Sequence, residues 1–329
     1  MWASHARSNS NQQGQDNVSE VCHRVYYPSG GRGHRNKGEG QLSYLDLFSS
    51  VDPLVGPKDL KEPLLTVFGA PYDGTTSYRP GTRFGPNAIR EAFLNVEAYS
   101  RRLDVDVERL LIRDAGNLAK QNDPGAMMRT VSKVTKELFG EGERFCMLGG
   151  EHSLTAGSFI NAPRGTALVV FDAHFDLRDE WEGSKLSHAC YLRRIIEKVD
   201  PSVVAHIGGR AATQEEWRLS KRLGLVLSPK QTGTPAELKR FSRFLSNFKN
   251  VYVSIDIDGL DPAFAPGTGT PEAGGLTTIA LLDCLYALEG RRVAAFDIME
   301  VSPPYDNGST VTAAARFMNE LTALCASTR

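Results

Sequence analysis

Short unbroken apolar runs recur along the chain from about residue 64, and longer stretches with apolar residues at helical spacing lie between them. The runs centre on Leu64–Phe68, Leu110–Ile112, Phe145–Leu148, Ala167–Phe171, Val203–Ile207, Leu223–Leu227, Val251–Ile257 and Val293–Ile298. They are continuous more than alternating, which is the pattern of strands covered on both faces. Between them, Pro86–Ser100, Pro124–Phe139, Ser187–Lys198, Gln214–Leu223, Pro235–Phe248, Thr277–Leu288 and Ser309–Cys325 read as helices, several opening on Pro or a Ser/Thr cap. The alternation predicts an α/β fold, a three-layer α/β/α sandwich with a mostly parallel sheet of about eight strands. With no internal repeat and no linker-like break, residues 42–329 are expected to form one large α/β domain.

Residues 1–41 break the pattern. They are rich in Ser, Asn, Gln, Gly and Arg and carry no periodic apolar face. Such a segment buries too little surface to offset its ordering entropy, so it reads as a disordered polar N-terminal extension. It lacks the apolar core of a secretory signal.

Composition narrows the partners. Lys and Arg number 38 against 39 Asp and Glu, so no bulk charge draws the chain to nucleic acid or an anionic membrane. No apolar run approaches the roughly 20 residues that cross a bilayer. The five cysteines (Cys22, Cys146, Cys190, Cys284, Cys325) include no Cys-x-x-Cys pair. That argues against a disulfide scaffold or a thiolate zinc site and for a reducing compartment, the cytoplasm. Cys146 and Cys190 read as small apolar fillers.

Four strands deliver acid or imidazole groups where they end. Phe145–Leu148 runs into Gly149-Gly150-Glu151-His152-Ser153, and Ala167–Phe171 into Asp172-Ala173-His174-Phe175-Asp176. Val251–Ile255 leads to Asp256-Ile257-Asp258, and Val293–Ile298 to Met299-Glu300. In open α/β sheets, ligands gather at the carboxyl ends of the strands. In an extended segment Asp172, His174 and Asp176 share a face, and so do Asp256 and Asp258. Uncompensated, such carboxylates repel and stay partly protonated, whereas divalent cations relieve the repulsion. Four Asp and two His exceed the three or four ligands usual for one zinc ion. They suit two ions of higher coordination number, and the oxygen-rich set favours Mn²⁺ over Zn²⁺, with Co²⁺ or Fe²⁺ also open. Two such ions lower the pKa of a water between them and support hydrolysis. By contrast His206, inside Val203–Ile207, reads as a core residue.

The ordered motifs resemble the ureohydrolase family of arginases and agmatinases. The carriers are Gly-Thr-Arg-Phe-Gly-Pro (81–86) with Ile89-Arg90, Gly-Gly-Glu-His-Ser (149–153), Asp-Ala-His-Phe-Asp (172–176) and Ser187-His188. Further on come Ser-Ile-Asp-Ile-Asp-Gly-Leu-Asp-Pro (254–262), Pro-Gly-Thr-Gly-Thr-Pro (266–271) and Phe-Asp-Ile-Met-Glu (296–300). The resemblance implies that His152 and Asp176 hold one Mn²⁺, His174 and Asp258 the other, and that Asp172 and Asp256 bridge them. It implies that Glu300 anchors a guanidinium and that His188 shuttles a proton, with Asp176 protonating the leaving amine. It also implies urea as a product and a homotrimer or hexamer.

The substrate tail is expected to meet the loop between Asp176 and His188. Arginases place Asn and Ser here for the α-amino acid end of arginine, whereas this chain offers Asp179, Glu180, Glu182 and Trp181. Acids and an aromatic ring suit a cationic amine. Asp179 and Glu180 are therefore the expected tail-binding residues. The Arg-Asp-Glu-x-Glu-Gly-x-Lys-Leu-Ser-His-Ala-Cys string (178–190) looks most like archaeal-type agmatinases. That implies agmatine, cleaved to urea and putrescine, or a longer polyamine such as aminopropylagmatine. Arg178 keeps a carboxylate tail such as guanidinobutyrate open, and arginine, formiminoglutamate and a non-catalytic guanidine-binding role stand as alternatives. A zinc deacetylase of related fold is disfavoured by the number of acids.

Overall fold

The computed structural model describes residues 48–49, 62–228 and 235–328. The chain divides into two units, residues 1–41 and 42–329, and the expected disorder of the first lies outside the described residues.

The second unit is built on a nine-stranded sheet. In chain order its strands are β1 (Phe48–Ser49), β2 (Leu65–Ala70), β5 (Ile112–Leu118), β6 (Phe145–Gly149), β7 (Thr166–Phe171), β8 (Val204–Ile207), β9 (Val226–Ser228), β10 (Asn250–Asp256) and β11 (Arg292–Met299). A separate ribbon pairs β3 (Tyr99–Ser100) with β4 (Val105–Asp106). Across the large sheet the order is β1-β5-β2-β6-β11-β10-β7-β8-β9, and every pairing is parallel except that of the two-residue β1. Eight parallel strands between helices is the architecture the apolar runs predict.

The unbroken runs follow from burial on both faces. In β6, Cys146 and Leu148 enter one core while Phe145 and Met147 enter the other. In β7, Ala167, Val169 and Phe171 face the first and Leu168 and Val170 the second. The first core is closed by α1 (Gly85–Phe93), α6 (Pro235–Leu245), α7 (Thr278–Tyr286) and α8 (Ser309–Ser327), through residues such as Ile89, Phe241, Leu281 and Phe317. The second is closed by α2 (Pro124–Gly140), α3 (Leu154–Phe159), α4 (Tyr191–Ile196) and α5 (Gln214–Leu223), through Val131, Phe159, Leu192 and Leu219. None of the described helices is long and apolar enough to cross a membrane.

Caps set several helix starts. Asp123 accepts from the Ala126 N–H ahead of α2, and Thr277 accepts from the Ala280 N–H ahead of α7. Thr213 and Glu216 form a reciprocal capping box on α5, which ends at Gly224 with φ 68°.

Three elements differ from the sequence reading. The first helix ends at Phe93 instead of Ser100, where the Asn95 side chain takes the Glu91 carbonyl at 2.7 Å. Strand β5 extends through polar Arg113, Asp114 and Asn117, because the buried Arg90 guanidinium bonds both Asp114 and Asn117. Helix α3 is six residues long and buried throughout, so it shows no amphipathic period.

Candidate metal centre

The four strands whose ends carry the chemistry are neighbours, in the order β6-β11-β10-β7. Their registers pair Ile298 with Leu148, Ile255 with Ile298, and Ile255 with Phe171. Their carboxyl ends therefore lie side by side. The segment after β6 also packs against the segment after β2, which needs Gly150, since a Cβ there would stand 1.8 Å from the Tyr72 carbonyl oxygen. Two acids leave the strands with left-handed backbone, Asp176 at φ 49° and Glu300 at φ 60°. Non-glycine residues rarely adopt this conformation, and it concentrates at functional sites.

The aspartates share one design. Asp172 Oδ1 accepts from the His174 N–H at 2.6 Å, Asp256 Oδ1 from the Asp258 N–H at 2.9 Å, and Asp258 Oδ1 from the Ala173 N–H at 3.0 Å. The backbone thus holds one oxygen of each carboxylate and leaves the other to face the imidazoles. Asp256 Oδ2 lies 3.0 Å from His152 Nδ1, and Asp258 Oδ2 lies 2.9 Å from His174 Nδ1. Asp172 Oδ2 is buried without a hydrogen-bond partner, although His152 Nδ1 is 3.1 Å away. A buried acceptor with no donor is costly, and a cation satisfies it.

Two overlapping groups of candidate ligands result, His152 with Asp172 and Asp176, and Asp172 with His174 and Asp258. Within each group the ligand atoms lie within 4.8 Å of one another, and Asp172 belongs to both. These residues fit a two-cation centre. Asp256 stands outside both groups, with Oδ2 beside His152.

The ionisation of the acids carries the same message. Burial, reinforced by the Asp172 charge, pushes the Asp176 carboxyl well above the usual carboxylate range. Burial and the charges of Asp258, Asp172 and Glu300 do the same to Asp256. Burial raises Glu300 too, helped by Glu151. Against the pull of burial, Asp258 lifts the His174 imidazole to about 10, and His174 in return holds Asp258 below the usual range.

A relay behind His152 fixes its tautomer. Its Nε2–H donates to Ser254 Oγ at 2.8 Å, and the Ser254 hydroxyl donates to Asp297 Oδ1 at 2.6 Å. The Nδ1 lone pair is left for the acidic side. The other Asp297 oxygen accepts from Thr155 and Tyr252. The Tyr191 ring stacks on the imidazole, centroids 3.9 Å apart. The His206 imidazole is buried as the sequence predicts, but it also positions the site: its Nε2 lies 2.8 Å from the His174 carbonyl oxygen. Ser254, Tyr191 and His206 each touch a candidate ligand across sheet or helix contacts, and Asp297 acts through Ser254, so their roles escape sequence reasoning.

A cavity of about 300 Å³ opens over these groups and is lined by His174, Asp176, Asp256, Glu300, His188, Ser77, Arg178, Trp181, Glu216, Thr270 and Glu272, among others. Glu300 Oε1 accepts from the His152 N–H at 2.8 Å. The His188 N–H donates to Thr75 Oγ1 at 3.0 Å, and its ring nitrogens lie 3.3 Å from Thr75 Oγ1 and 3.4 Å from Ser77 Oγ. Burial pushes the His188 imidazole down to about 4, away from the near-neutral value expected of a free histidine, so the ring is neutral at pH 7.

The structure does not bring Asp179 and Glu180 to this cavity. Asp179 is 58% exposed and pairs with Arg194 at 2.7 Å and Lys185 at 3.2 Å. Glu180 is exposed and absent from the lining. Asp179 is held instead by the two cations outside the lining, Arg194 and Lys185. Trp181 and Arg178 remain on the wall, with the Arg178 guanidinium 3.9 Å over the Trp181 ring and 3.6 Å from Glu216. Asp179 and Glu180, the expected tail-binding residues, thus do not line this cavity.

A family model described as the arginase family matches residues 64–324. The agmatinase of Halalkalibacterium halodurans is 38% identical over 262 residues, covering 78% of this chain and 90% of that protein. The N(1)-aminopropylagmatine ureohydrolase of Thermococcus kodakarensis is 37% identical over 271 residues, covering 81% and 91%. Among solved structures, the agmatine ureohydrolase of Thermoplasma volcanium is similar with a TM-score of 0.76 and 31% identity, covering 87% of this chain and 98% of that one. The family match runs from the strand before the first glycine-rich motif into the last helix, taking in every ligand-bearing strand end, and this chain belongs to the arginase family.

Proposed function

We propose that the protein is an agmatine ureohydrolase, a hydrolase that cleaves the guanidino C–N bond of agmatine or an aminopropylated relative to urea and an amine. The observation that carries this reading is the pair of ligand groups sharing Asp172, with Glu300 on the wall of the same cavity. The relatives named for agmatine and aminopropylagmatine chemistry support the substrate class.

His152, Asp172 and Asp176 would hold one cation and Asp172, His174 and Asp258 the other, with Asp256, beside His152, as a further ligand. In our reading both are Mn²⁺, which supplies positive charge and an acidified water when bound. Glu300 receives the substrate guanidinium, since a planar cation with several N–H donors is best held by a carboxylate. Its Oε1 is tied to the His152 N–H, which fixes the guanidinium relative to the ligands. Asp176, whose carboxyl lines the cavity, carries the proton to the departing amine. His188, neutral and held by Thr75, exchanges protons between the cavity and solvent.

A carboxylate-tailed substrate such as guanidinobutyrate would need Arg178, the cationic wall residue nearest the loop. Its guanidinium is covered by Trp181 and neutralised by Glu216, which favours an amine tail. A cytoplasmic location and a trimeric or hexameric assembly belong to the same proposal. The four described cysteines, all free and buried, support a reducing compartment.

The test is urea release from the Mn²⁺-loaded protein offered agmatine, aminopropylagmatine, arginine and guanidinobutyrate in parallel. Agmatine or aminopropylagmatine should be turned over fastest. A preference for arginine or guanidinobutyrate would overturn the substrate assignment.

A further inference from the structure

With Asp179 and Glu180 outside the cavity, the geometry points to Glu272 as the residue that selects an amine-tailed substrate, a role that rests on the ureohydrolase reading. The charged groups of the wall leave few choices. His174, Asp176 and Asp256 belong to the candidate metal centre, and Glu300 is placed on the guanidinium. Glu216 is saturated: it accepts from the Leu177 N–H at 3.2 Å and the Thr213 N–H at 3.0 Å, and its carboxylate lies beside Arg178. Glu272 remains. Its side chain is 47% exposed and its nearest cationic candidate is His174 Nε2, 3.9 Å from Oε1. That separation is beyond hydrogen-bond range, so the carboxylate is not committed to the imidazole.

The position of Glu272 is nonetheless fixed. The Arg210 guanidinium donates to its carbonyl at 2.7 Å and to the carbonyls of Asp258 at 2.7 Å and Leu260 at 3.1 Å. One guanidinium thus ties the segment carrying Glu272 to the segment carrying the candidate ligand Asp258. Along the Glu272 segment, Gly269 approaches Glu300 closely, a Cβ there standing 3.7 Å from Glu300 Oε2. Three residues span at most about 10 Å. Both carboxylates line one cavity, Glu300 beside Gly269 and the half-exposed Glu272 three residues further along, which assigns Glu300 to the guanidinium and Glu272 to the ammonium at the other end of the substrate. An anion at the mouth favours a cationic tail and disfavours a carboxylate, so one residue both attracts and excludes.

The test compares the wild-type protein with Glu272→Gln, an isosteric change that leaves the Arg210 bond to the backbone in place. Agmatine and butylguanidine, which lacks the distal ammonium, are measured by urea release and by calorimetric binding. Glu272→Gln should raise the agmatine KM by about two- to fivefold, as for a partly exposed ion pair, with little change in kcat. Butylguanidine should show no change in KM. Raising the salt concentration should weaken wild-type agmatine binding and narrow its gap to the variant. Equal losses for both substrates would mean that Glu272 acts by orienting His174, and would overturn the assignment. If the wild-type protein releases urea from neither compound, the ureohydrolase reading falls. Binding then still decides: a selective loss of agmatine affinity supports the role of Glu272, and equal affinities refute it.

Discussion

Removing the Ser254 hydroxyl isolates the relay that aims His152. The group is fully buried, accepts from His152 Nε2 at 2.8 Å and donates to Asp297 Oδ1 at 2.6 Å. Ser254→Ala leaves a buried ring N–H without an acceptor and a buried carboxylate short of one donor, while Thr155 and Tyr252 continue to serve the other oxygen. Each buried group left short costs about 1–3 kcal/mol, so the two together cost roughly 3 kcal/mol. At roughly 2–4 °C per kcal/mol, Tm should fall by about 10 °C in the metal-free protein. The larger consequence is on the metal, because an imidazole free to rotate no longer holds Nδ1 toward the acids. Affinity should fall about 10- to 100-fold. Thermal melting and calorimetric Mn²⁺ titration measure the two effects. Thr155→Val is the control: it removes a donor to Asp297 but spares the His152–Ser254 bond, so Tm should fall while metal affinity stays within about threefold. Wild-type metal affinity in Ser254→Ala would refute the relay.

Four further outcomes are expected. Asp256→Asn should lower the bound metal from two ions per chain, measured by elemental analysis, without lowering the Tm of the metal-free protein, because a buried carboxyl crowded by Asp258 and Asp172 is replaced by a neutral group. Glu300→Gln should cut kcat/KM for urea release by about 10²- to 10³-fold, the cost of losing one partner of a buried charge pair. Asp179→Ala should change agmatine KM by less than about twofold, since exposed ion pairs contribute little. The His188 imidazole is held at about 4 against 6.5 when free, so its contribution to stability is complete above pH 6.5 and lost as the pH falls through 4. Denaturant titrations of metal-free wild-type and His188→Asn proteins at pH 7 and pH 4 should show the wild type losing more stability, and equal losses would contradict the shift.

The sheet was legible because strands buried on both faces write unbroken apolar runs, and the ligand set because four of those runs end in acids or imidazole. Asp172 and His174 fall in one candidate ligand group as the two-residue period implies, whereas Asp258 follows Asp256 in a 3₁₀ turn (Ile257–Gly259) that no extended-chain period describes. Where a polar group was satisfied by a distant partner, the pattern was misleading. Arg90 allows β5 to carry Asp114 and Asn117, a strand whose polarity resembles a loop. Asp179 and Glu180 looked like a tail site because spacing does not show that Asp179 pairs with Arg194 and Lys185. Glu272 was invisible for the opposite reason: its place depends on Arg210, 62 residues away in sequence.

The central claim is that this cavity uses two bound cations to release urea from an amine-tailed guanidine. The most direct measurement combines metal content and urea production on one sample of Mn²⁺-loaded protein given agmatine. Two ions per chain and a stoichiometric yield of urea with putrescine are predicted. Two ions per chain with no urea from agmatine or aminopropylagmatine would contradict the account.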